Sequence, residues 1–170
     1  MTPKTALLVI DVQQGMFNKK IPAYKGFEVV GNINILIEKA HAAGAPVFII
    51  QHAGATVFAE GTEDWKLYPE LRFAAGDVLV AKHKPDAFLG TLLEDHLKKI
   101  GITQVVTTGF VTHGCVKATT LGAKERGYQV ILAHDAHSSY SKDAAELIQK
   151  VGELVSKAGV MLKATGEIEF

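Results

Sequence analysis

The segment Thr5–Val12, Thr-Ala-Leu-Leu-Val-Ile-Asp-Val, constrains the fold more than any other stretch. Its apolar residues run continuously instead of alternating, so a strand here is buried on both faces. That is the situation of a parallel sheet covered by helices on each side. Further short apolar runs follow at Val47–Ile50, Val78–Ala81, Thr103–Gly109, Tyr128–Ala133 and Val160–Ala164. Between them apolar residues recur at helical spacing. Phe27, Val30, Ile33, Ile37 and Ala40 predict one helix, and Leu89, Leu92, Leu93, Leu97 and Ile100 predict another over 88–100. A third is expected over 115–126, and a fourth from an N-cap at Ser141 to Ala158. Gly44, Gly101, Gly127 and Gly159 stand at the helix ends, where a stop signal belongs. Strands alternating with helices imply right-handed βαβ units. The expected fold is a three-layer αβα architecture with a mostly parallel six-stranded sheet in the order 3-2-1-4-5-6. Residues 1–170 are read as a single domain, a length that closes one sound core.

Eighteen basic side chains balance eighteen acidic ones, so the charge needed to hold nucleic acid or an anionic membrane is missing. One cysteine allows no intramolecular disulfide and no cysteine-rich metal site, and it fits a reducing compartment. The first residues lack the apolar core of a signal peptide. No apolar run approaches the roughly 18 residues that span a bilayer. The expected location is cytoplasmic. No Gly-x-Gly-x-x-Gly or Walker-type motif follows a strand, which weighs against a nucleotide-binding domain.

In such a sheet ligands bind beyond the carboxyl ends of the strands, where the strand order reverses. Here that point lies between strands one and four. Asp11 ends the first strand. Cys115 follows the fourth, within Gly109–Val116, Gly-Phe-Val-Thr-His-Gly-Cys-Val. A cysteine at a helix start favours its thiolate, the nucleophilic form, and the free amides there can receive an oxyanion. The alternative is a buried structural cysteine. Asp11 can serve as the base if burial raises its pKa, or it can cap a loop or pair with a lysine. Lys82, at the end of the third run, can hold Asp11 in place; by spacing alone Lys84 can do the same, and either can instead be a solvated surface charge.

Three motifs recur in order: Leu-Leu-Val-Ile-Asp11-Val-Gln13, then Lys82-His-Lys-Pro-Asp-Ala-Phe88-Leu-Gly-Thr91, then Gly109-Phe-Val-Thr112-His-Gly-Cys115-Val116-Lys-Ala-Thr119. Val130–Ala136, ending Asp135-Ala136, adds a fourth point of likeness. Together they resemble the isochorismatase-like cysteine hydrolase family over nearly the whole chain. The resemblance implies a catalytic set of Cys115, Asp11 and Lys82, the family lysine standing six residues before a phenylalanine, here Phe88. It implies a non-proline cis peptide between Phe110 and Val111 and an oxyanion hole from the N–H groups of Val111 and Cys115. It also implies a reaction in which Cys115 attacks a carbonyl carbon while Asp11 relays the thiol proton to a departing amine.

The cysteine argues for C–N hydrolysis of an amide, ureide or hydrazide over vinyl-ether cleavage, which some family members perform without it. Nicotinamidases of the family carry an Asp-x-His metal motif after the second strand. This chain has Gln51-His52-Ala53-Gly54, with no further histidine until His83. One histidine makes a poor zinc site, so no metal and no cofactor is expected. Two competing readings are a thiol-based redox or sensing module, which lacks a resolving cysteine, and a nicotinamidase-type amidase. Gln13, Phe17, Tyr24, His52, Trp65, Phe88 and His113 are the substrate-binding candidates. Phe17, Tyr24, Phe58, Trp65 and Tyr68 lie in two irregular stretches, where aromatics either line a small pocket or pack loops and subunit contacts. The expected partners are a small-molecule substrate and further copies of the chain, as a dimer or larger.

Overall fold

The computed structural model describes residues 2–170. Its strands are β1 (Thr5–Ile10), β2 (Val47–His52), β3 (Val78–Lys82), β4 (Gln104–Phe110), β5 (Gln129–Ser138) and β6 (Met161–Lys163). They form one sheet in the order β3-β2-β1-β4-β5-β6, every neighbouring pair parallel. The three layers and the strand order are those the apolar runs imply. Every residue of β1 and of β4 is buried, as central strands covered on both faces must be.

The helices are α1 (Gly26–Ala42), α2 (Leu93–Lys99), α3 (Lys117–Glu125) and α4 (Ala144–Lys157). Right-handed crossovers decide which face each one takes. The chain steps from β1 outward to β2 and β3 over one face, with α1 there, its Ile33, Leu36 and Ile37 packed on Leu7, Val9 and Ile49. It steps back through β4, β5 and β6 over the other face. There Leu93 and Leu97 of α2, Ala123 of α3 and Val155 of α4 pack on Ala6, Leu8, Ile10 and Phe48. The β2–β3 connection, residues 53–77, has no helix.

Four local expectations are corrected. The second helix begins at Leu93, not 88, because Gly90 takes φ 72°, a left-handed conformation that ends the helical path. Leu89 and Leu92 are consequently exposed. Phe27 has the right spacing for the buried stripe of α1 but sits in its first turn, beyond the sheet, and is exposed. Asp143, not Ser141, holds the N-cap position of α4; the Ser141 hydroxyl instead accepts the Asp143 N–H at 3.3 Å. Finally, β5 runs on to Ser138. Its pairing jumps from Thr107–Leu132 to Gly109–His137, so β4 advances two residues while β5 advances five. The polar pair His134-Asp135 lies in the resulting bulge and masks the strand in the sequence pattern.

Gly109 lets β4 close on β1 at the strand ends. Its φ is 113°, and a β-carbon there would lie 1.9 Å from the carbonyl oxygen of Ile10. No other residue fits, and the approach brings the end of β1 beside the turn that carries Cys115.

Candidate active site

Asp11 leaves β1 with φ 51°, a left-handed turn that aspartate tolerates better than most residues. Its N–H donates to the Ile50 carbonyl at 2.9 Å and its carbonyl accepts the Gln13 N–H at 2.9 Å. The side chain is thereby swung into the space between β1 and β4. Lys82 ends β3, paired in register with His52 of β2. Both Asp11 and Lys82 are wholly buried. Cys115 enters from the turn Thr112–Val116, a wide helical turn kinked at Gly114 (φ −111°, ψ −110°) just before α3. The Phe110–Val111 peptide ahead of it is cis. The Val111 carbonyl accepts the N–H groups of Gly114 and Val116.

The ammonium of Lys82 is the hub. It lies 3.0 Å from Asp11 Oδ2, 3.1 Å from Cys115 Sγ, 3.2 Å from His52 Nδ1 and 3.1 Å from the Lys84 carbonyl oxygen. Four acceptors surround a group with three N–H bonds, so its donors are oversubscribed. Asp11 is the partner that loses. Its Oδ2 lies at ion-pair distance, yet neither carboxylate oxygen accepts a hydrogen bond of good geometry among the described residues. A dry, underbonded carboxylate beside a thiol has the proton affinity and the position to accept the thiol proton.

Burial raises the Asp11 carboxyl above its ordinary 3.8, against the pull of the Lys82 charge and of the Cys115 and Lys82 side chains that crowd it. Burial also pushes the Cys115 thiol up to about 12, with the Asp11 charge next in effect, and Lys82 only partly offsets them. The sequence expectation of a resting thiolate is thereby corrected. Cys115 is half-buried next to a carboxylate, and desolvation and like charge outweigh the helix-start amides. Burial and the Lys82 charge lower the His52 pKa, which keeps its ring neutral.

Asp11, His52 and Cys115 each present a ligand atom within 4.8 Å of the others, which by itself resembles half of a metal site. The Lys82 ammonium, however, lies within hydrogen-bond reach of all three. A resident cation already sits where a metal would have to go. Gln51, beside His52 at the end of β2, donates its amide to the Trp65 carbonyl at 2.8 Å. These residues do not fit a metal centre.

The remaining candidates separate. His52 borders the hub. Phe17 stacks on Tyr68 with centroids 3.9 Å apart and meets Phe110 edge-on, so it packs beneath the nucleophile turn. Trp65 is half-buried with its indole N–H unpartnered. His113 is exposed, its Nδ1 3.3 Å from Ser139 Oγ. Gln13 is fully buried, and its amide is consumed by the His52 backbone and the Trp65 carbonyl; it ties the wall together and does not face a ligand. Phe88 is likewise corrected: it stacks on Tyr128 and under Arg126 in the core beneath α2 and α3. Tyr24 faces a different cleft, with Lys25, Glu28, His134 and His137. Lys84 is exposed and offers only its carbonyl. His137, which no sequence motif marks, reaches the turn that carries Cys115: its Nδ1 is 2.8 Å from the Thr112 hydroxyl.

Fold and site together define an α/β protein whose reactive groups gather at the carboxyl ends of a doubly wound sheet. Residues 5–155 match the isochorismatase domain, and the chain belongs to the isochorismatase family of hydrolases. It is 32% identical to a secreted isochorismatase effector of Verticillium dahliae over 170 residues, spanning 96% of this chain and 90% of that one. It is 34% identical to the streptothricin hydrolase of Streptomyces noursei over 145 residues, which are 84% of this chain but only 58% of that protein. Among solved structures, an isochorismatase from Pseudomonas putida KT2440 superposes with a TM-score of 0.89 at 25% identity, covering 97% of this chain and 90% of that one. No helix among the described residues is long and apolar enough to cross a membrane.

Proposed function

We propose that the protein is a cysteine hydrolase that cleaves the C–N bond of a small amide, ureide or hydrazide without a metal. The observation that carries this reading is the meeting of a buried, underbonded Asp11 carboxylate, the Cys115 thiol and the Lys82 ammonium in one crevice. Asp11 takes the proton from Cys115 as the sulfur attacks the carbonyl carbon. A raised thiol pKa suits this timing, because the proton leaves only as the new bond forms. The carbonyl oxygen becomes an oxyanion held by the N–H groups of Val111 and Cys115. Asp11 then returns its proton to the nitrogen, the C–N bond breaks and an amine departs. A thioester remains on Cys115. Water attacks it, giving its proton back through Asp11 to the sulfur, and the acid product leaves. Lys82 keeps its charge throughout and steadies whichever anion the site holds at each stage.

His52, against the Lys82 ammonium, and Trp65, half-buried with its indole N–H unpartnered among the described residues, are the side chains this reading assigns to substrate contact. A redox-sensing role gains little from this arrangement, since burial and the Asp11 charge disfavour the Cys115 thiolate and Cys115 is the only cysteine in the chain. The test is a panel of amides, ureides and hydrazides assayed for release of ammonia or amine, with Cys115→Ala alongside the wild type. On the substrate that turns over, Cys115→Ala is expected to lose at least about 10⁴-fold in kcat. Undiminished turnover by that variant would refute the mechanism.

A further inference from the structure

The end of β5 carries a buried polar group that the proposed chemistry leaves without a task. His137 is 2% exposed, and the Thr112 hydroxyl it meets at 2.8 Å is also buried. Register explains the meeting. His137 stands opposite Gly109 and Ser138 opposite Phe110, so the ring lies level with the start of the nucleophile turn. Had the Thr107–Leu132 register continued without the bulge, the exposed His134 would stand there instead. The neighbouring residues extend the same clamp. Ser139 Oγ lies 3.3 Å from His113 Nδ1, Ser138 Oγ donates to the Tyr24 carbonyl, and the Tyr24 N–H donates to the Ser139 carbonyl at 2.9 Å.

Burial pushes the His137 ring down to about 4, so the ring is neutral over the working range and holds Thr112 without introducing a charge. Its Nε2 is buried and unpartnered among the described residues, and the residue borders the cleft shared with Tyr24, Lys25, Glu28, His134 and Asp135. An unsatisfied buried nitrogen is unfavourable, and a leucine would fill the same volume without that cost. What leucine lacks is the hydrogen bond from the Nδ1 position. The turn's own ties run from the Val111 carbonyl to Gly114 and Val116; the Thr112 side chain fastens it to the sheet.

We propose that His137 is a positioning residue: through its Nδ1 hydrogen bond to Thr112 it sets the turn Val111–Cys115, and with it the Cys115 sulfur and the two amides aimed at the oxyanion. The proposal rests on the reading of Cys115 as the nucleophile. Displacing a nucleophile by about 1 Å costs on the order of 100-fold in rate. His137→Leu and Thr112→Val are each expected to lower kcat about 10- to 100-fold while KM changes less than about threefold. Because both cut one bond, the double variant should fall no further than the weaker single variant. His137→Asn, whose amide stands near the Nδ1 position, should recover most of kcat; His137→Gln, which reaches toward Nε2, should not. Urea unfolding of every variant separates misplacement from loss of folded protein, and Thr112→Val and His137→Asn answer the question if His137→Leu does not fold. Wild-type kcat in His137→Leu, multiplying losses in the double variant, or asparagine no better than leucine would overturn the proposal. Cys115→Ala on the same substrate keeps the two readings apart. An active Cys115→Ala sinks the nucleophile, whereas an inactive one with a fully active His137→Leu sinks only the positioning role.

Discussion

On the β1–β3 side of the crevice the contacts are ionic and dry: Asp11 and Lys82 are wholly buried, with His52 against the ammonium. On the β4–β5 side the buried contact is neutral, Thr112 against His137, with Ser139 beside the exposed His113. Cys115 is the one reactive group between them. On the proposed reading the charged wall receives the thiol proton and the neutral wall sets where the sulfur points. Charges in a dry site act strongly and cannot be removed singly without leaving a partner stranded. Neutral bonds act through geometry, so their loss is felt in rate more than in proton balance.

The charged wall gives the largest expected effect. Lys82→Met leaves Asp11 buried without a counter-charge, and Asp11→Asn leaves Lys82 in the same condition. Lys82→Met should cost about 3–5 kcal/mol of stability, Asp11→Asn should cost less because the fold already disfavours the ionised Asp11 carboxyl, and each should cost at least about 10²-fold in kcat, the low end for a general base. The double variant Asp11→Leu, Lys82→Met removes both charges and should be more stable than either single variant while staying inactive. Denaturant unfolding of the three measures this. A double variant as unstable as the sum of the singles would mean that the two charges do not depend on each other.

Next in size is the pH dependence. Protonated Asp11 cannot accept the thiol proton, so kcat/KM should fall tenfold per pH unit below the Asp11 pKa. Because that pKa is raised, the acid limb should lie above 3.8, and a variant lacking Lys82 should move it higher still, since Lys82 lowers it. The stability sign is the reverse. A folded-state pKa above the unfolded one favours folding below the unfolded value, and that gain is lost as pH rises through the folded pKa. Asp11 therefore lowers stability at neutral pH, which the site tolerates for its chemistry. The thiol, raised to about 12, should react with iodoacetamide at pH 7 more slowly than a free cysteine peptide and accelerate as pH rises. Faster alkylation than the peptide would show a resting thiolate and reverse the assignment of the proton.

These two walls were not equally legible in the sequence. Asp11, Lys82 and Cys115 each terminate or follow a continuous apolar run, and such runs read as buried parallel strands whose carboxyl ends share one crevice. The resemblance then chose Lys82 over Lys84 by its spacing to Phe88. The neutral wall was hidden because β5 is interrupted. His134-Asp135 breaks the apolar run, the bulge shifts the register by three residues, and His137 lands where periodicity gives it no face. Spacing also misled at Phe88 and Gln13. Both lie within motif stretches, yet one packs in the core and the other spends its amide on backbone. Proton affinity was beyond the sequence altogether, because the thiol's state depends on how dry the site is, which only packing decides.

The smallest expected effect separates holding a wall from touching a substrate. Gln13 accepts the His52 N–H at 2.9 Å and donates to the His52 and Trp65 carbonyls at 2.9 and 2.8 Å. Its side chain joins the end of β1 to β2 and to the irregular segment that carries Trp65, but none of its side-chain bonds reaches Asp11, Lys82 or Cys115. Gln13→Leu keeps most of the volume and strands a buried N–H, at about 1–3 kcal/mol. The Trp65 segment loses an anchor, so KM should rise severalfold. The charged hub keeps its own bonds, so kcat should stay within about threefold. Urea unfolding and steady-state kinetics on the identified substrate decide the matter. A fall of 100-fold in kcat with stability unchanged would place Gln13 on the reacting atoms, and would make the charged wall dependent on its neutral support in the way the opposite wall depends on His137.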